Sequence, residues 1–597
     1  MRIPAFLLLA ATLIATPAAA QSYRDRLPED EVLYFLLPDR FENGDTANDR
    51  GGLKGDRLAT GFDPTSKGFY HGGDLKGLIK RLDYIQALGA TAIWLGPVFK
   101  NKVVQGPKGD ESAGYHGYWV TDFTQVDPHL GTNSDFAAFV EATHARGMKV
   151  YMDIIVNHTA DVIQYRECGD CAYRSRADYP YSRKGGVAGE PINNGFAGDG
   201  IQTPENFAKF TRPDYAYTPF VPDAEKNVKV PAWLNDPIYY HNRGNSTFAG
   251  ESSTMGDFVG LDDVMTENPR VIAGMIEIFG SWIDRFKVDG FRIDTARHVN
   301  PEFWQAFVPA MLSRAQANGI PNFHIFGEVA DPDPAALARH TRVDKLPADL
   351  DFAFALTVNN VVSGKAGTDQ LARVFAADPL YEGGEATARR LPTFIGNHDA
   401  GRTATFIREA NPKASPDELL KRDMLGHAML LLLRGVPTVY SGDEQGFVGD
   451  GGDQAAREDM FPSKVASYND NVLLGTGKTT ADSNFDPDHP LFREIASLAR
   501  LRLSHPALTR GRQLLRFASD KPGLFAVSRF DPVTGAEMLI VFNTAPEPWT
   551  GNVQVETGSA HFTALAGACS ATPAAPGSLA LTLPAFGYAV CAAGAPE

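Results

Sequence analysis

Four short apolar segments of the sequence end in side chains that could carry out acid–base or nucleophilic chemistry. A lone carboxylate at the end of such a segment is usually a capping or loop-anchoring residue. Four such endings in one chain instead favour a shared reactive site. The endings are Asp153 with Asn157 and His158, Arg292 with Asp294, Glu328, and Asn397 with His398 and Asp399.

Asp294 and Glu328 can supply the two carboxyl groups that cleavage of a glycosidic bond requires. One donates a proton to the leaving oxygen, and the other attacks the anomeric carbon or activates water. Arg292 lies two residues before Asp294 and therefore on the same face of a strand. We expect its charge to hold Asp294 ionised, while nearby carboxylates raise the pKa of Glu328. Asp399, His158 and His398 can bind the sugar hydroxyls, and Asp399 can also stabilise positive charge at the ring.

Between about residues 32 and 504, apolar runs alternate with amphipathic stretches. This alternation predicts repeated βα units, which are the elements that must position these groups. Eight strand candidates are present, and eight parallel strands close a barrel. The predicted fold class is therefore α/β, a (β/α)8 barrel, in which reactive groups come from the carboxyl ends of the strands. The candidate strands are 32–41, 91–99, 149–158, 290–296, 322–329, 349–356, 391–399 and 435–444.

The intervening segments have helical periodicity. Residues 75–89 place leucine and isoleucine at spacings of three and four, and Gly89 is expected to end that helix. Ser134 is expected to cap a second helix that ends at Gly147.

One long interval interrupts this rhythm. Residues 159–258 are rich in Gly, Pro, Tyr, Asn and Asp and lack a long helical period, which predicts an inserted subdomain. Alternating strands after the last helix predict a C-terminal antiparallel β domain. The expected domains are the barrel, 21–158 and 259–508, the insertion, 159–258, and an all-β domain, 509–597.

The N-terminus has the layout of a cleavable export signal: Arg2, an apolar run, and three alanines before Gln21. We expect 1–20 to be removed and the protein to be periplasmic or secreted; the alternative is a buried N-terminal helix. The formal charge of −16 argues against nucleic acids and anionic membranes as partners and is compatible with a neutral sugar. The oligomeric state is left open, with a monomer favoured.

Four cysteines lie in the part of the chain expected to be exported. An even number in an oxidising compartment predicts two local disulfides, Cys168–Cys171 and Cys569–Cys591. A redox-active pair or half of a zinc site is the alternative for C-G-D-C. Neither is favoured, because no thioredoxin-like unit surrounds it and no second C-x-x-C is present.

Several segments, in this order, resemble the signature regions of the α-amylase family of glycoside hydrolases. The ordered set is far more specific than any one string, and the resemblance runs from about residue 32 to the C-terminus. It implies that Asp294 is the nucleophile, Glu328 the acid/base and Asp399 the transition-state stabiliser. The segments are DIIVNH (153–158), GLDD (260–263), GFRIDTARHV (290–299), FGEV (326–329) and FIGNHD (394–399), with HGYWVTDF (116–123) and GVPTVYSGDE (435–444).

The same resemblance assigns substrate-binding positions. Arg292, His158 and His398 fall on them, and Tyr118 falls on an aromatic that stacks on the sugar beside the scissile bond. Arg297 stands where many α-amylases carry lysine, on the leaving-group side of the cleft.

The resemblance also implies bound calcium, a cation that prefers oxygen ligands. Asn157, Asp263 and the backbone carbonyl of His298 match a structural site between the barrel and the inserted subdomain. A second candidate resembles an N-terminal calcium loop of cyclodextrin glycosyltransferases and some bacterial amylases, although such a run is often only a solvated turn. Its residues are Asn43, Asp45, Asn48, Asp49, Gly72 and Asp74.

The activity implied is retaining hydrolysis of α-1,4-glucosidic bonds in starch-derived glucans and maltodextrins. One alternative transfers the sugar to another glucan, as transglycosylases and cyclodextrin-forming enzymes do, and cyclodextrin hydrolysis is a further one. The second class of alternative is a non-catalytic glucan-binding protein, which the intact set of carboxylates disfavours.

Overall fold

Seven parallel strands form a nearly closed barrel in the computed structural model, which describes residues 22–594. The predicted export signal, 1–20, lies outside the described residues. The strands are apolar runs because a parallel sheet is buried on both faces. In spatial order they are β5-β4-β3-β2-β1-β7-β6. Their bounds are Leu33–Leu36 (β1), Ala92–Leu95 (β2), Lys149–Ile154 (β3), Gly290–Ile293 (β4), His324–Gly327 (β5), Pro392–Thr393 (β6) and Val436–Tyr440 (β7).

The strand predicted over 349–356 is wrong for most of its length, because a helix occupies Phe352–Val362. The Asp351 side chain accepts a hydrogen bond from the Phe354 backbone N–H and so begins the helix at once. Backbone hydrogen bonds join Leu350 to Gly327 (2.9 Å) and Asp351 to Pro392 (2.9 Å). Residues 348–351 thus connect the two edges of the sheet and complete the predicted barrel fold.

Helices cover the outside of the barrel, and the helix after β3 shows why they form. Asn268 caps it and Pro269 occupies its first turn. Its buried residues recur at spacings of three and four, and the chain leaves it at Lys287 with φ of 58°. The main helices are Leu75–Lys80, Leu82–Ala87, Asn133–Ala145 (α1), Pro269–Phe286 (α2), Pro301–Ala317 (α3), Pro334–Arg339, Phe352–Val362 (α4), Asp369–Ala376, Thr403–Ala410, Pro416–Leu432 (α5) and Pro490–Ser504 (α6).

Two helix boundaries differ from the sequence prediction. The helix predicted over 75–89 is divided at Arg81, and Gly89 follows its second part with φ of 92°. Helix α1 is capped by Thr132 rather than Ser134, because Thr132 and Asp135 form a reciprocal capping box.

The long segment between β3 and α2 has little regular structure. Its short antiparallel ladders pair Gln164–Tyr165 with Pro219–Phe220 and His158–Thr159 with Asp262–Asp263. It has its own apolar cluster, which includes Tyr181, Phe207, Phe210, Tyr215 and Tyr217. The limits of 159 and 258 stay a prediction.

Seven strands at the end of the chain form two antiparallel sheets. The larger has the order β8-β9-β10-β14-β12, and β11 pairs with β13. Apolar side chains of both sheets share one cluster, as in a sandwich. Both predicted disulfides, Cys168–Cys171 and Cys569–Cys591, are present. The strands are Arg512–Phe517 (β8), Leu524–Phe530 (β9), Glu537–Asn543 (β10), Trp549–Gln554 (β11), Phe562–Ala566 (β12), Ser578–Leu583 (β13) and Tyr588–Ala593 (β14).

No helix within residues 22–594 is long and apolar enough to cross a membrane.

Candidate active site

The ionisable residues predicted from strand endings meet at the carboxyl end of the barrel. Arg292 lies within β4, Asp294 follows its last residue, and Glu328 follows β5. The ladder places Ile293 opposite Gly327, and the Glu328 backbone N–H donates to the Ile293 carbonyl (2.8 Å). Asp294 and Glu328 are therefore neighbours on adjacent strands.

Arg292 is buried and contacts three carboxylates. Its Nη1 donates to Asp153 Oδ1 (2.9 Å) and to Asp294 Oδ1 (2.9 Å). Its Nη2 lies 2.9 Å from Glu328 Oε2. Asp153 is held from its other side by the indole N–H of Trp94 (3.1 Å). The guanidinium of Arg292 thus links Asp294 and Glu328 to Asp153, which lies deeper in the site.

Burial controls the protonation of this pair. It raises the pKa of Asp294 to about 7, although Arg292 acts in the opposite direction. It also raises the pKa of Glu328 to about 7 against the same cation. The raised pKa of Asp294 differs from the expectation that Arg292 holds this residue ionised. The reason is that three buried carboxylates, those of Asp153, Asp294 and Glu328, share the single positive charge of Arg292. Near neutral pH the coupled pair holds a single proton, so it contains one acid and one carboxylate.

Asp399 has a different environment. Its side chain is 46% exposed, and Arg457 Nη2 lies 2.9 Å from its Oδ1. The Nε2 of His398 lies 3.3 Å from its other oxygen. Partial burial works to raise its pKa, but the contacts with His398 and Arg457 lower it to about 2. Asp399 is therefore a permanent negative charge at the edge of the site.

Tyr118 connects the Asp153 carboxylate to His398. Its hydroxyl lies 2.8 Å from His398 Nε2 and donates to Asp153 Oδ2 (3.2 Å). The Tyr118 ring stacks against the His398 ring with centroids 5.5 Å apart. A ring held in this way is a fixed platform.

His158 has an unsatisfied ring nitrogen beside the predicted nucleophile. Its Nε2 lies 4.0 Å from Asp294 Oδ2 and is buried, with no hydrogen-bond partner in the described part of the chain. Burial lowers the pKa of His158 to about 3 and that of His398 to about 3, so both rings are neutral. His158 can therefore bind a hydroxyl group of a ligand.

These residues surround a cleft of about 670 Å³. Five of the predicted side chains line it, whereas Arg292 and His398 lie buried behind them. Val259 stands at its rim, 75% exposed, with φ of 53°, a conformation that β-branched residues rarely adopt. The predicted lining residues are Tyr118, His158, Asp294, Glu328 and Asp399.

Sequence reasoning missed several residues of this cleft. Arg457 pairs with Asp399 from a loop after β7, and no local sequence pattern indicates that pairing. Gln105, Trp119 and Asp453 also line the cleft from connecting segments.

Arg297 lies beyond Glu328 and does not line the cleft. Its Nη1 donates to the carbonyl of Ala330 (2.8 Å), and it lies 4.0 Å from Asp331. It therefore supports the segment that follows Glu328.

Two of the three residues predicted to bind calcium beside the inserted subdomain meet at one short ladder, in which Asp263 pairs with His158, the residue after Asn157. Asn157 accepts a backbone hydrogen bond from Val264, next to Asp263. One oxygen of Asp263 is engaged by His241 Nδ1 (2.6 Å), and the ring of His298 bonds to the Ser253 carbonyl (2.8 Å). Among residues 22–594, no group of three His, Cys, Asp or Glu side chains is arranged to hold a metal.

The N-terminal candidate fits a cation better, because buried oxygens there lack partners. Asn43 Oδ1 and Asn48 Oδ1 are buried without a hydrogen-bond partner inside the described range. Asp49 accepts from Asn43 Nδ2 (2.9 Å), and burial raises its pKa. A side chain at Gly72, whose φ is 101°, would collide with Asn43 and Asp49.

The other two predicted residues of this loop have different partners. Asp45 pairs with Lys76 (2.6 Å). Asp74 caps a helix and accepts from the backbone N–H groups of Gly77 (2.7 Å) and Asp45 (2.8 Å). The candidate cradle therefore consists of Asn43, Asn48, Asp49 and the backbone at Gly72.

Comparison with known proteins gives consistent results. A family profile described as Alpha amylase, catalytic domain, matches residues 35–511. The chain is 47% identical over 534 residues to an α-amylase of Streptomyces lividans, covering 89% of this chain and 57% of that protein. It is 26% identical to a cyclomaltodextrin glucanotransferase of Klebsiella oxytoca, covering 88% of this chain and 72% of that protein. It thus spans little more than half of the Streptomyces relative.

A solved structure has the same fold over almost the whole chain. The crystal structure of an Anoxybacillus α-amylase is 26% identical, covers 96% of this chain and 99% of its own, and superposes with a TM-score of 0.68.

Proposed function

The chain belongs to the α-amylase family of glycoside hydrolases, and from this premise we propose that it hydrolyses α-1,4-glucosidic bonds of starch-derived glucans with retention of configuration. The observation that carries the proposal is the single guanidinium of Arg292, which contacts both Asp294 and Glu328 (2.9 Å each). Two carboxyl groups that share one proton are what acid-assisted displacement at an anomeric carbon needs.

The reaction proceeds in two displacements. The Asp294 carboxylate attacks the anomeric carbon while the Glu328 carboxyl donates its proton to the leaving oxygen, which gives a glycosyl ester and a shortened glucan. Glu328, now ionised, takes a proton from water, and the hydroxide oxygen displaces Asp294 from the sugar. Asp399 stabilises the positive charge that develops on the ring in both steps.

The buried residues around the cleft have positioning roles in this scheme. Arg292 orients both carboxyl groups, and the neutral His158 ring binds a sugar hydroxyl beside Asp294. The Tyr118 ring offers its face to the sugar on the donor side of the scissile bond. Arg297 orients the segment after Glu328 on the leaving-group side.

Substitution of the nucleophile tests the assignment. Asp294→Asn is expected to lower turnover of maltoheptaose by about 10⁴-fold or more, because the amide cannot form the glycosyl ester. Binding of the substrate is expected to remain, measured by calorimetry. Asp83→Asn, at an aspartate of the outer helix Leu82–Ala87 whose side chain is 84% exposed, is the matched control and should retain near-normal turnover. Near-normal turnover by Asp294→Asn would refute the mechanism.

Transfer to a second glucan is the competing outcome, since the Klebsiella relative is named a cyclomaltodextrin glucanotransferase. Transfer proceeds through the same glycosyl ester as hydrolysis. The product depends on whether water or a sugar hydroxyl group attacks that ester. Chromatography of the products from maltoheptaose distinguishes the two, because cyclic products or products longer than seven glucose units require transfer. We expect only shorter linear products.

We further propose a structural calcium ion in the N-terminal loop. The cradle of Asn43, Asn48, Asp49 and the Gly72 backbone offers oxygen ligands, two of which have no partner in the described part of the chain. Calcium there would tie the loop after β1 to the barrel and would take no part in the reaction. A second ion at Asn157, Asp263 and the His298 carbonyl would fasten the inserted subdomain.

Calcium content tests the N-terminal site directly. Asn43→Ala is expected to hold one calcium ion fewer per chain than the parent protein, measured by mass spectrometry of metals after gel filtration. Asn552→Ala, an exposed asparagine of β11, is the control and should hold the full complement. An unchanged calcium content in Asn43→Ala would contradict the site.

The proposal extends to where the protein works. We propose that it is exported to the periplasm or the medium, and its two disulfides support an oxidising compartment.

A further inference from the structure

A cavity of about 160 Å³ lies between the barrel and the C-terminal β domain. Arg389 and Arg434 line it from the segments that precede β6 and β7, so it lies at the amino end of the barrel, opposite the catalytic cleft. Gln513 of β8 and Val527 of β9 line it from the C-terminal domain, and the helix Asp369–Ala376 supplies a third wall. The cavity and the catalytic cleft have no lining residue in common.

Two side chains of the cavity wall have donor groups without acceptors. The Arg434 backbone N–H donates to Gln513 Oε1 (3.0 Å), which fixes the amide group and leaves Gln513 Nε2 buried without a partner in the described part of the chain. Arg389 Nε is also buried without a partner among residues 22–594. Buried donors without acceptors are costly and therefore rare. A bound group with acceptor oxygens would satisfy both donors.

Positive charge accumulates beside this wall. Arg502 of α6 and Arg529 of β9 are fully buried, and every hydrogen bond that they donate within the described range goes to a backbone carbonyl. Most of these carbonyls lie at the end of α5 and carry only a partial negative charge. Burial lowers the pKa of Arg529 well below its usual range, and the charges of Arg502, Arg389 and Arg434 lower it further.

The carboxylates of this region do not cancel that charge. Asp378 lines the cavity, but both of its oxygens accept from Arg434 Nε (3.1 and 3.0 Å), and Asp351 pairs with the same guanidinium. Glu385 also lines the cavity, but it is exposed, so water screens its charge. The other three arginines therefore lack a bound carboxylate in the part of the chain that the structure describes.

We propose that this cavity binds a small oxyanion of the size and charge of sulfate or inorganic phosphate. Arginine and amide N–H groups in fixed positions suit such an anion, which offers several acceptor oxygens. One water molecule needs only roughly 15 Å³ of cavity volume, so the space admits a larger group. Residues of both domains contact the anion, which therefore holds the C-terminal β domain against the barrel and takes no part in the reaction.

Calorimetric titration of the intact protein with sodium sulfate tests the site, with the ionic strength held constant by sodium chloride. We expect one sulfate to bind per chain. Arg389→Gln is expected to lower the affinity about tenfold or more, because it removes a charged N–H donor. Arg373→Gln is the matched control, since that arginine lies in the helix Asp369–Ala376 with its side chain 73% exposed and does not line the cavity. It should keep the affinity of the parent protein.

A second variant tests the charge of the cavity without removing an arginine. Gln513→Glu keeps an oxygen for the Arg434 backbone N–H and places a carboxylate in the cavity. It is expected to abolish sulfate binding and, in buffer without sulfate, to unfold at a higher temperature than the parent protein, because its charge replaces that of the anion. Sulfate should raise the unfolding temperature of the parent protein and have little effect on this variant. Differential scanning calorimetry measures both.

Several results would overturn the site. Equal sulfate affinity in the parent protein and Arg389→Gln would mean that the ion binds elsewhere, and no binding to the parent protein would mean that water fills the cavity. An equal rise in unfolding temperature in the parent protein and Gln513→Glu would be a general effect of the salt. Chloride that binds as tightly as sulfate would contradict an oxyanion. Tighter binding of phosphate than of sulfate, or the reverse, would support the site and identify its preferred ion.

Discussion

At the scale of single residues, the carboxyl groups of the cleft have pKa values that are shifted in opposite directions. Asp294 and Glu328 are buried, and burial raises the pKa of each to about 7, so they hold one proton between them. Asp399 is partly exposed and lies against Arg457, and its pKa is about 2. Proton transfer is thus confined to the buried pair, while the exposed carboxylate keeps its charge.

The pH dependence of activity tests this division. Catalysis needs the pair singly protonated, so kcat/KM is expected to be bell-shaped around neutral pH, falling at low pH when the pair gains a second proton and at high pH when it loses the first. Arg457→Gln removes a cation from Asp399 and raises its pKa. Protonation of Asp399 should then lower kcat/KM, and the acidic limb is expected to move to higher pH.

A matched substitution checks the specificity of that shift. Arg297→Gln removes a cation that does not contact Asp399, and its acidic limb should stay where the parent enzyme has it. An acidic limb that is unmoved in Arg457→Gln would show that Arg457 does not set the charge of Asp399.

Much of this site follows from local sequence, and the rest depends on contacts between distant segments. The spacing of Arg292 and Asp294 places them on one face of β4, and the structure brings them into contact at 2.9 Å. The raised pKa of Asp294 could not be predicted, because it depends on how many carboxylates surround a single arginine. Arg457 escaped detection because its loop reaches Asp399 only in the folded chain.

At the scale of elements, seven of the eight predicted strands form and the sixth does not. The run at 349–356 is apolar and alternating enough to resemble a strand, but Asp351 caps a helix and only residues 348–351 join the sheet. A short apolar run fits a strand or a buried helix equally well, and the cap decides between them.

The start of α1 gives a measurable example of a cap that sequence placed two residues too late. Thr132→Ala is expected to lower the free energy of unfolding by about 1 kcal/mol, because it removes the acceptor of the Asp135 backbone N–H. Ser134→Ala is the matched control and should change it by less than about 0.5 kcal/mol. Urea denaturation followed by circular dichroism measures both, and a larger loss in the control would favour Ser134 as the cap.

At the scale of the whole molecule, the two disulfides close loops of different length. The Cys569–Cys591 bridge spans 22 residues within the C-terminal β domain, and the Cys168–Cys171 bridge spans 3. Replacing both Cys569 and Cys591 with serine is expected to cost about 3 kcal/mol of unfolding free energy, since longer loops regain more chain entropy when released. The same change at Cys168 and Cys171 should cost about half as much or less.

Denaturant unfolding of the two double variants, with tryptophan fluorescence, measures the difference. Equal losses would mean that the bridges act through local packing rather than through the freedom of the unfolded chain.

The missing sixth strand has a consequence for how such an enzyme can diversify. Between β5 and β6 the barrel wall has no ladder of its own, only the crossing residues 348–351, and α4 follows at once. Natural selection can therefore replace side chains along that helix, or lengthen the turns around it, without breaking sheet hydrogen bonds. Changes in this part of the wall therefore leave intact the ladder that places Asp294 beside Glu328.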